Sequence, residues 1–182
     1  MSVICVEPAQ SQDFELIWPI FKQVIAGGDC YLFHADLDPN VAYRYWFGPG
    51  VATFLARHQA DRNAASAPRN PASVLGFYKL VANQPDRGAH VANASFVVTP
   101  AHQGRGIGYQ LGCHCLETAK SLGYRAIQFN AVVSTNTPAV KLWQKLGFKI
   151  VGTLPQAFHH ARLGDVDLYV MFRSLLDSES DS

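Results

Sequence analysis

The 182-residue chain has little charge, and neither sign predominates. Only 16% of its residues are Asp, Glu, Lys or Arg, and the formal net charge is +1. Nucleic-acid-binding proteins usually concentrate basic residues on one face, so this composition argues against a nucleic-acid partner. Because 48% of the residues are apolar, we expect one globular domain with a substantial core over residues 1–176.

The sequence also lacks long hydrophobic runs. Its first residues contain no basic segment followed by an apolar stretch, and no stretch is long enough to cross a bilayer. We therefore predict a cytoplasmic protein without a membrane partner. Residues 177–182 are acidic and polar, and they are predicted to form a disordered tail.

Cysteine is scarce, with four residues in the whole chain. A cytoplasmic chain of this length does not need disulfides, so we expect reduced thiols. Cys113 and Cys115 point in different directions on a predicted helix and make a poor metal pair. His159 and His160 are predicted to be loop residues without a third ligand. No metal site is predicted.

Two common phosphate-binding motifs are absent. No GxxxxGK[ST] sequence occurs, which excludes a P-loop. A dinucleotide-binding GxGxxG would need glycine at position 109 or 111, where the chain has Tyr109 and Leu111. The predicted strand that follows, residues 126–132, also has no carboxylate to hold a ribose.

A glycine-rich turn at residues 103–108 is present instead, between a predicted strand and a predicted helix. This order places unpaired backbone N–H groups at a helix N-terminus, where the helix dipole also favours negative charge. A diphosphate is therefore the expected ligand of the turn.

The pattern Gln-x-x-Gly-x-Gly at Gln103, Gly106 and Gly108 resembles the coenzyme A pyrophosphate loop of the Gcn5-related N-acetyltransferase (GNAT) superfamily. Residues 136–148 resemble the second motif of that superfamily, and the ordered pair is more specific than either motif alone. Over residues 28–172 the chain is also similar to the yeast N-acetyltransferases of L-azetidine-2-carboxylate. The resemblance implies an N-acetyltransferase that uses acetyl-CoA and acts on a small-molecule amine.

The fold implied by the resemblance is α/β (α+β), with a mixed, twisted sheet of about seven strands flanked by helices. Local signals agree, because Asp13 and Asp38-Pro39 are helix starts, and Gly27-Gly28 and Gly48 are stops. Strands are predicted at 3–7, 51–57, 73–80, 90–98, 126–132, 149–157 and 165–173. Helices are predicted from after Asp13 to about residue 26, at 39–47, after the glycine turn, and at 138–146.

Composition and periodicity predict one helix face and one loop in more detail. The helix after the glycine turn is predicted to end at Gly123, with its apolar face formed by Leu111, Cys115, Leu116, Ala119 and Leu122. Residues 61–71 are rich in Ala, Ser, Asn and Pro and are predicted to form a surface loop.

In the superfamily, the cofactor lies where the strand before the glycine turn splays from the strand after its helix, and pantetheine hydrogen-bonds to the exposed strand edge. A backbone N–H at or near Val98 is also predicted to stabilise the oxyanion. The cofactor-binding residues implied by the resemblance are Phe96, Val98, Gln103, Gly104, Arg105, Gly106, Ile107, Gly108, Asn136 and Trp143. Asn136 has a second interpretation, as the cap of the following helix.

Trp143 departs from the superfamily pattern, which usually has a tyrosine here to protonate the leaving thiolate. An indole N–H donates a hydrogen bond but does not titrate near neutral pH, so Trp143 cannot be a general acid. A thiol with a pKa of about 8.5 is nevertheless a fair leaving group. Trp143 is expected to line the cleft, to pack in the core, or to do both.

The acceptor side depends on asparagines and aromatic residues. Asn93 and Asn130 match asparagines of the yeast enzymes, and both are predicted to be catalytic and to orient the amine while water takes the proton. Five aromatic residues cluster around the second predicted helix, namely Tyr31, Tyr43, Tyr45, Trp46 and Phe47. Tyr31 and Trp46 are predicted to line an aromatic pocket for the acceptor, and ordinary aromatic packing is the alternative for each residue singly. The likeness to the yeast enzymes also implies a homodimer. The alternatives are a non-catalytic acyl-CoA-binding domain and a protein N-terminal acetyltransferase.

Overall fold

The computed structural model describes residues 4–58 and 70–176, so the predicted tail and most of the predicted loop at 61–71 lie outside the described residues. The described helices are α1 (Phe14–Ala26), α2 (Pro39–Phe47), α3 (Ile107–Ser121) and α4 (Thr137–Lys145). The described strands are β1 (Ile4–Pro8), β2 (Ala52–His58), β3 (Gly76–Ala82), β4 (Val91–Val98), β5 (Ala126–Val133), β6 (Lys149–His160) and β7 (Gly164–Ser174).

Seven strands of the described chain form one sheet in the order β1-β2-β3-β4-β5-β7-β6. Strands β4 and β5 run parallel, and every other neighbouring pair is antiparallel. The parallel pair is possible because α3 forms the crossover between its two strands. The predicted mixed sheet flanked by helices is confirmed.

The sheet is split in its middle, where β4 and β5 stop pairing. Each strand has eight residues, yet only Val91 and Ala92 are paired with β5. Beyond that point β5 continues to pair with β7, and its register shifts between Phe129 and Val132. Strands β4 and β5 are therefore no longer paired beyond Ala92 and Ile127, which leaves a gap between them.

The hydrogen bonds of β4 show which of its residues face the gap. Thr99 N–H donates to Leu75 C=O, and Val91 C=O accepts from Asn83 N–H, so the odd-numbered residues of β4 point their backbone groups toward β3. Backbone polar groups alternate in direction along an antiparallel ladder. The backbone groups of Phe96 and Val98 therefore point toward the gap.

The two faces of the sheet bury separate apolar clusters. Helices α3 and α4 cover one face, and their cluster includes Tyr78 and Leu80 of β3. Helices α1 and α2 cover the other face, where Phe77 of the same strand contributes. Successive strand residues point to opposite faces, so a single strand serves both clusters.

The apolar face of α3 is as predicted at four of five positions, because Leu111, Cys115, Leu116 and Ala119 are buried. Leu122 is an exception, and the prediction that it belongs to this face is wrong. Helix α3 ends at Ser121, so Leu122 lies at the C-cap with 58% of its surface exposed.

Two further predictions from local signals need correction. Asp38 caps α2 by accepting the N–H groups of Asn40 and Val41, but the Asp13 carboxylate makes no such bond to α1 and accepts Gln10 N–H instead. His159 and His160 are not loop residues. They end β6, because the β6–β7 hairpin continues to the pair His160–Gly164.

Cys5, Cys30, Cys113 and Cys115 all lie within the described residues, and the structure has each of them in the reduced form. Within residues 4–58 and 70–176, no three His, Cys, Asp or Glu side chains cluster closely enough to hold a metal ion. None of the described helices combines the length and apolar character required to span a bilayer.

Candidate functional site

A cavity of about 910 Å³ occupies the gap between β4 and β5. It extends from the glycine-rich turn before α3, past the edge of β4, to side chains of β3 and α2. Most of the predicted site residues line it. The exceptions are Arg105, which lies exposed on the turn, and Trp46.

The glycine-rich turn forms one end of the cavity. Gly104 and Gly106 have φ angles of +74° and +78°, a left-handed conformation that glycine adopts without steric cost. The first hydrogen bond of α3 in this turn runs from Gln110 N–H to Gly106 C=O. The N–H groups just before Gln110 therefore precede the helical ladder, and they are the donors with which a helix N-terminus binds anions.

Gly108 allows close packing beside the same end. A Cβ placed there would lie 3.1 Å from Cδ2 of Leu142 on α4 and 3.5 Å from Cγ2 of Val98 on β4. The Leu142 side chain would have to move by a few tenths of an ångström to admit this Cβ, whereas Val98 would be in ordinary van der Waals contact with it. The spacing of the motif thus reflects two needs: left-handed backbone at Gly106 and close approach at Gly108.

The centre of the cavity is the free edge of β4. The Tyr31 hydroxyl donates to Phe96 C=O over 3.0 Å, which ties the segment after α1 to this edge. Burial raises the pKa of the Tyr31 phenol, so it remains a neutral hydrogen-bond donor. The N–H groups of Phe96 and Val98 still face the gap, where an extended chain can bind as an added strand.

Trp143 lines the cavity and also packs in the core, so both interpretations of this residue apply. It is 7% exposed, and its ring centroid lies 4.6 Å from that of Phe96 and 4.8 Å from that of Phe129. Asn136 likewise both caps a helix and lies at the cavity. Its Oδ1 accepts Ala139 N–H as the cap of α4, and its side chain lies at the cavity.

The far end of the cavity holds a cluster of side-chain amides. The Nδ2 atoms of Asn93 and Asn130 both donate to Oδ1 of Asn83, over 3.2 and 2.7 Å. Oδ1 of Asn130 accepts from Nε2 of Gln128 over 2.9 Å. The structure therefore brings the two predicted asparagines together through a third, Asn83, which the sequence analysis missed.

Trp46 does not line the cavity, and the prediction that it contacts the acceptor is wrong. Its side chain is fully buried, edge-on to Phe21 at 5.2 Å and to Phe77 at 4.8 Å. The preceding residue, Tyr45, takes the cavity position, because successive helix residues point about 100° apart. The Tyr45 hydroxyl lies 2.5 Å from Oγ of Ser95 on β4.

Lys79 on β3 is a second residue that the sequence analysis missed. It is 8% exposed, and its Nζ lies 3.3 Å from the centroid of the Tyr45 ring. Burial lowers the pKa of this amine to about 8. The available signal was a lysine between apolar neighbours in a predicted strand, which is an uncommon place for an unpaired charge.

Comparisons with known proteins agree with this geometry. The acetyltransferase (GNAT) family model matches residues 21–148. The N-acetyltransferase aca1 of Schizosaccharomyces pombe is 34% identical over 110 residues, which are 58% of this chain and only 53% of aca1. The L-amino acid N-acetyltransferase AaaT of Escherichia coli is 27% identical over 180 residues, covering 95% of this chain and 99% of AaaT.

A solved structure gives the same result. The GCN5-related N-acetyltransferase from Kribbella flavida superposes with a TM-score of 0.83 at 41% identity, covering 94% of this chain and 97% of the other. The superfamily predicted from the glycine turn and the second motif is thus confirmed. The chain belongs to the acetyltransferase (GNAT) family.

Proposed function

We propose that this chain transfers the acetyl group of acetyl-CoA directly to the amine of a small molecule, such as an amino acid or a toxic cyclic amino-acid analogue. The observation that carries the proposal is the continuity of the cavity. One space joins an anion-binding turn, a free strand edge and a cluster of uncharged amides. AaaT is an L-amino acid N-acetyltransferase that the chain matches over nearly its full length, which supports an amino-acid acceptor.

The donor half would bind acetyl-CoA through backbone groups. The turn at residues 103–108 suits the diphosphate, and the N–H groups of Phe96 and Val98 suit the extended pantetheine. Bound acetyl-CoA supplies an activated acyl group as a thioester. Ile107 and Trp143 give this half apolar walls, because both are buried and both line the cavity.

The acceptor half would position the amine. Attack on the acyl carbon creates negative charge on its oxygen, and the free edge of β4 offers backbone N–H donors for this charge. Of the two that face the gap, Phe96 N–H lies nearer the amide cluster than Val98 N–H. Asn93 and Asn130 can hold the neutral amine, but an amide takes no proton, so water must remove it. Trp143 cannot act as a general acid, so the coenzyme A thiolate would leave without prior protonation.

A non-catalytic acyl-CoA-binding domain is the second candidate. The observation that favours it is Trp143, an indole where the superfamily usually has tyrosine. Such a domain would keep the turn and the strand edge and would need no acceptor site. The amide cluster at the far end of the cavity therefore favours the transferase.

Thiol release separates these two functions. The protein is incubated with acetyl-CoA and, one at a time, with L-azetidine-2-carboxylate, other small amino acids and simple amines. We expect release of the coenzyme A thiol that depends on the acceptor, with the N-acetylated product identified by mass spectrometry. Reactions without acceptor are the control for hydrolysis. Measurable acetyl-CoA binding without turnover on any acceptor would instead support the non-catalytic domain.

A cytoplasmic location stays a prediction.

We also propose that the chain forms a homodimer through β6. Strand β6 lies at the edge of the described sheet and exposes Ile150, Val151 and Leu154 by 38%, 59% and 46%. An exposed apolar edge strand usually pairs with another chain or is protected from doing so. Sedimentation velocity is expected to give the mass of two chains, and a monomer at all concentrations would contradict the proposal.

A further inference from the structure

Lys79 is the charged residue of the cavity wall. Among the described residues that line the cavity, no other side chain is an acid, an arginine or a lysine. Burial lowers its pKa, and no carboxylate of residues 4–58 and 70–176 opposes this shift. A buried ammonium group without a counter-ion is unfavourable, so its retention here needs a reason.

One neighbour of Lys79 favours its charged form, although burial disfavours that form. The Tyr45 ring presents its face to Nζ, and such a face attracts a cation. The pKa of about 8 also leaves the amine mainly protonated at neutral pH. An ammonium group cannot accept the proton of the acceptor, whereas it can bind an anion.

The register of the sheet places Lys79 beside the amide cluster. Lys79 pairs with Ser95, and the next pair on the same face is Val81 with Asn93. Two residues along a strand span about 7 Å. The carboxylate and the amine of one small α-amino acid can therefore contact Lys79 and the amide of Asn93 at the same time.

We propose that Lys79 binds the carboxylate of the acceptor, so that the enzyme selects small amino acids with a free carboxylate. The inference rests on the proposed transferase function and makes its acceptor class specific. The carboxylate supplies the missing counter-ion through a charge-assisted hydrogen bond. The amine of the same molecule then lies toward Asn93 and Asn130. Polyamines bring a second cation to Lys79, and the first residue of a polypeptide brings a neutral amide, so both are poor acceptors.

Matched acceptors test this directly. L-Azetidine-2-carboxylate and its carboxamide have the same ring and amine and differ in charge at the carboxyl position. With the wild-type protein, we expect kcat/KM for the carboxylate to exceed that for the carboxamide by about tenfold or more. Lys79→Met should remove this preference by lowering the value for the carboxylate alone. Lys79→Arg should keep part of it.

Two controls separate the loss of a carboxylate contact from a general loss of charge or of the fold. Lys22→Met removes an exposed lysine of α1 and should leave the preference unchanged. Acetyl-CoA affinity, measured by calorimetry, should be the same in Lys79→Met as in the wild type, which verifies the fold. If Lys79→Met lowers the rates with both acceptors equally, or if the wild type uses both equally, Lys79 does not bind the carboxylate.

Equilibrium binding separates this proposal from the proposed activity. With coenzyme A present no transfer occurs, and the dissociation constants of the two acceptor molecules can be compared. Tighter binding of the carboxylate by the wild type but not by Lys79→Met supports the site even if no acceptor is turned over. Equal binding of both molecules by the wild type overturns the site even if acetylation is observed.

Discussion

Asn130→Ala is expected to lower kcat/KM for the acceptor by about 100-fold while changing the dissociation constant of acetyl-CoA by less than about twofold. Asn130 lies on β5, at the end of the cavity away from the glycine turn, so its loss should not reach the diphosphate. The expected loss is large because its Nδ2 shares Oδ1 of Asn83 with Asn93. Removing the Asn130 amide therefore also takes away one of the two side-chain donors that hold Asn83.

Steady-state kinetics with both substrates varied, together with calorimetry for acetyl-CoA, measures the two effects separately. Asn40→Ala is the matched control, since Asn40 is an exposed asparagine on α2 and its side chain does not line the cavity. Its kinetics should equal those of the wild type. Equal losses of acceptor use and cofactor binding in Asn130→Ala would place Asn130 in the cofactor site or in the support of the fold.

Gly106→Val is expected to weaken acetyl-CoA binding by about tenfold or more, because the turn must present its N–H groups in one conformation. The φ of +78° is unfavourable for a β-branched residue, so the backbone of the turn should shift. Apart from the two chain neighbours, no atom of the described residues lies within 4 Å of a Cβ placed at Gly106. The affinity loss would thus come from the altered turn or from contact with the ligand, and not from disturbed packing.

Gly123→Val provides a control with the same backbone cost. Gly123 follows α3 with a φ of +83° and equally open surroundings, and it does not line the cavity. Both variants should lower the free energy of unfolding by about 1–2 kcal/mol. Only Gly106→Val should lose affinity for acetyl-CoA, as measured by calorimetry. Similar acetyl-CoA affinities in the two variants would indicate that the diphosphate does not bind at this turn.

The elements that local chemistry determines were predictable from the sequence. The start of α2 follows from Asp38-Pro39, and the glycine turn follows from residues that must adopt positive φ. The predictions were wrong where an apolar pattern continues past the end of its helix, or where several neighbouring residues fit the same role. The apolar pattern of α3 continued past its end to Leu122, and the aromatic residues of α2 did not reveal whether Tyr45 or Trp46 faced the cavity.

The acceptor half was less predictable, since it depends on strand pairing. The sequence marks Lys79 as an unusual lysine in an apolar strand, but the register is needed to place it beside Ser95 and under the Tyr45 ring. Asn83 follows β3 in a segment typical of a turn, and nothing local indicates that it accepts from Asn93 and Asn130. Distant parts of the chain meet at these residues, so only the fold reveals the site.

The split between β4 and β5 has a consequence for the cohesion of the molecule. The two sides of the sheet are joined in the middle by two paired positions of β4, with the side-chain amides of Asn83 and Asn130 bridging β3 and β5 beyond them. A pantetheine chain bound as an added strand would fill the break with hydrogen bonds to β4. We therefore expect bound acetyl-CoA to raise the free energy of unfolding, because it binds the folded chain in the gap between the two sides of the sheet.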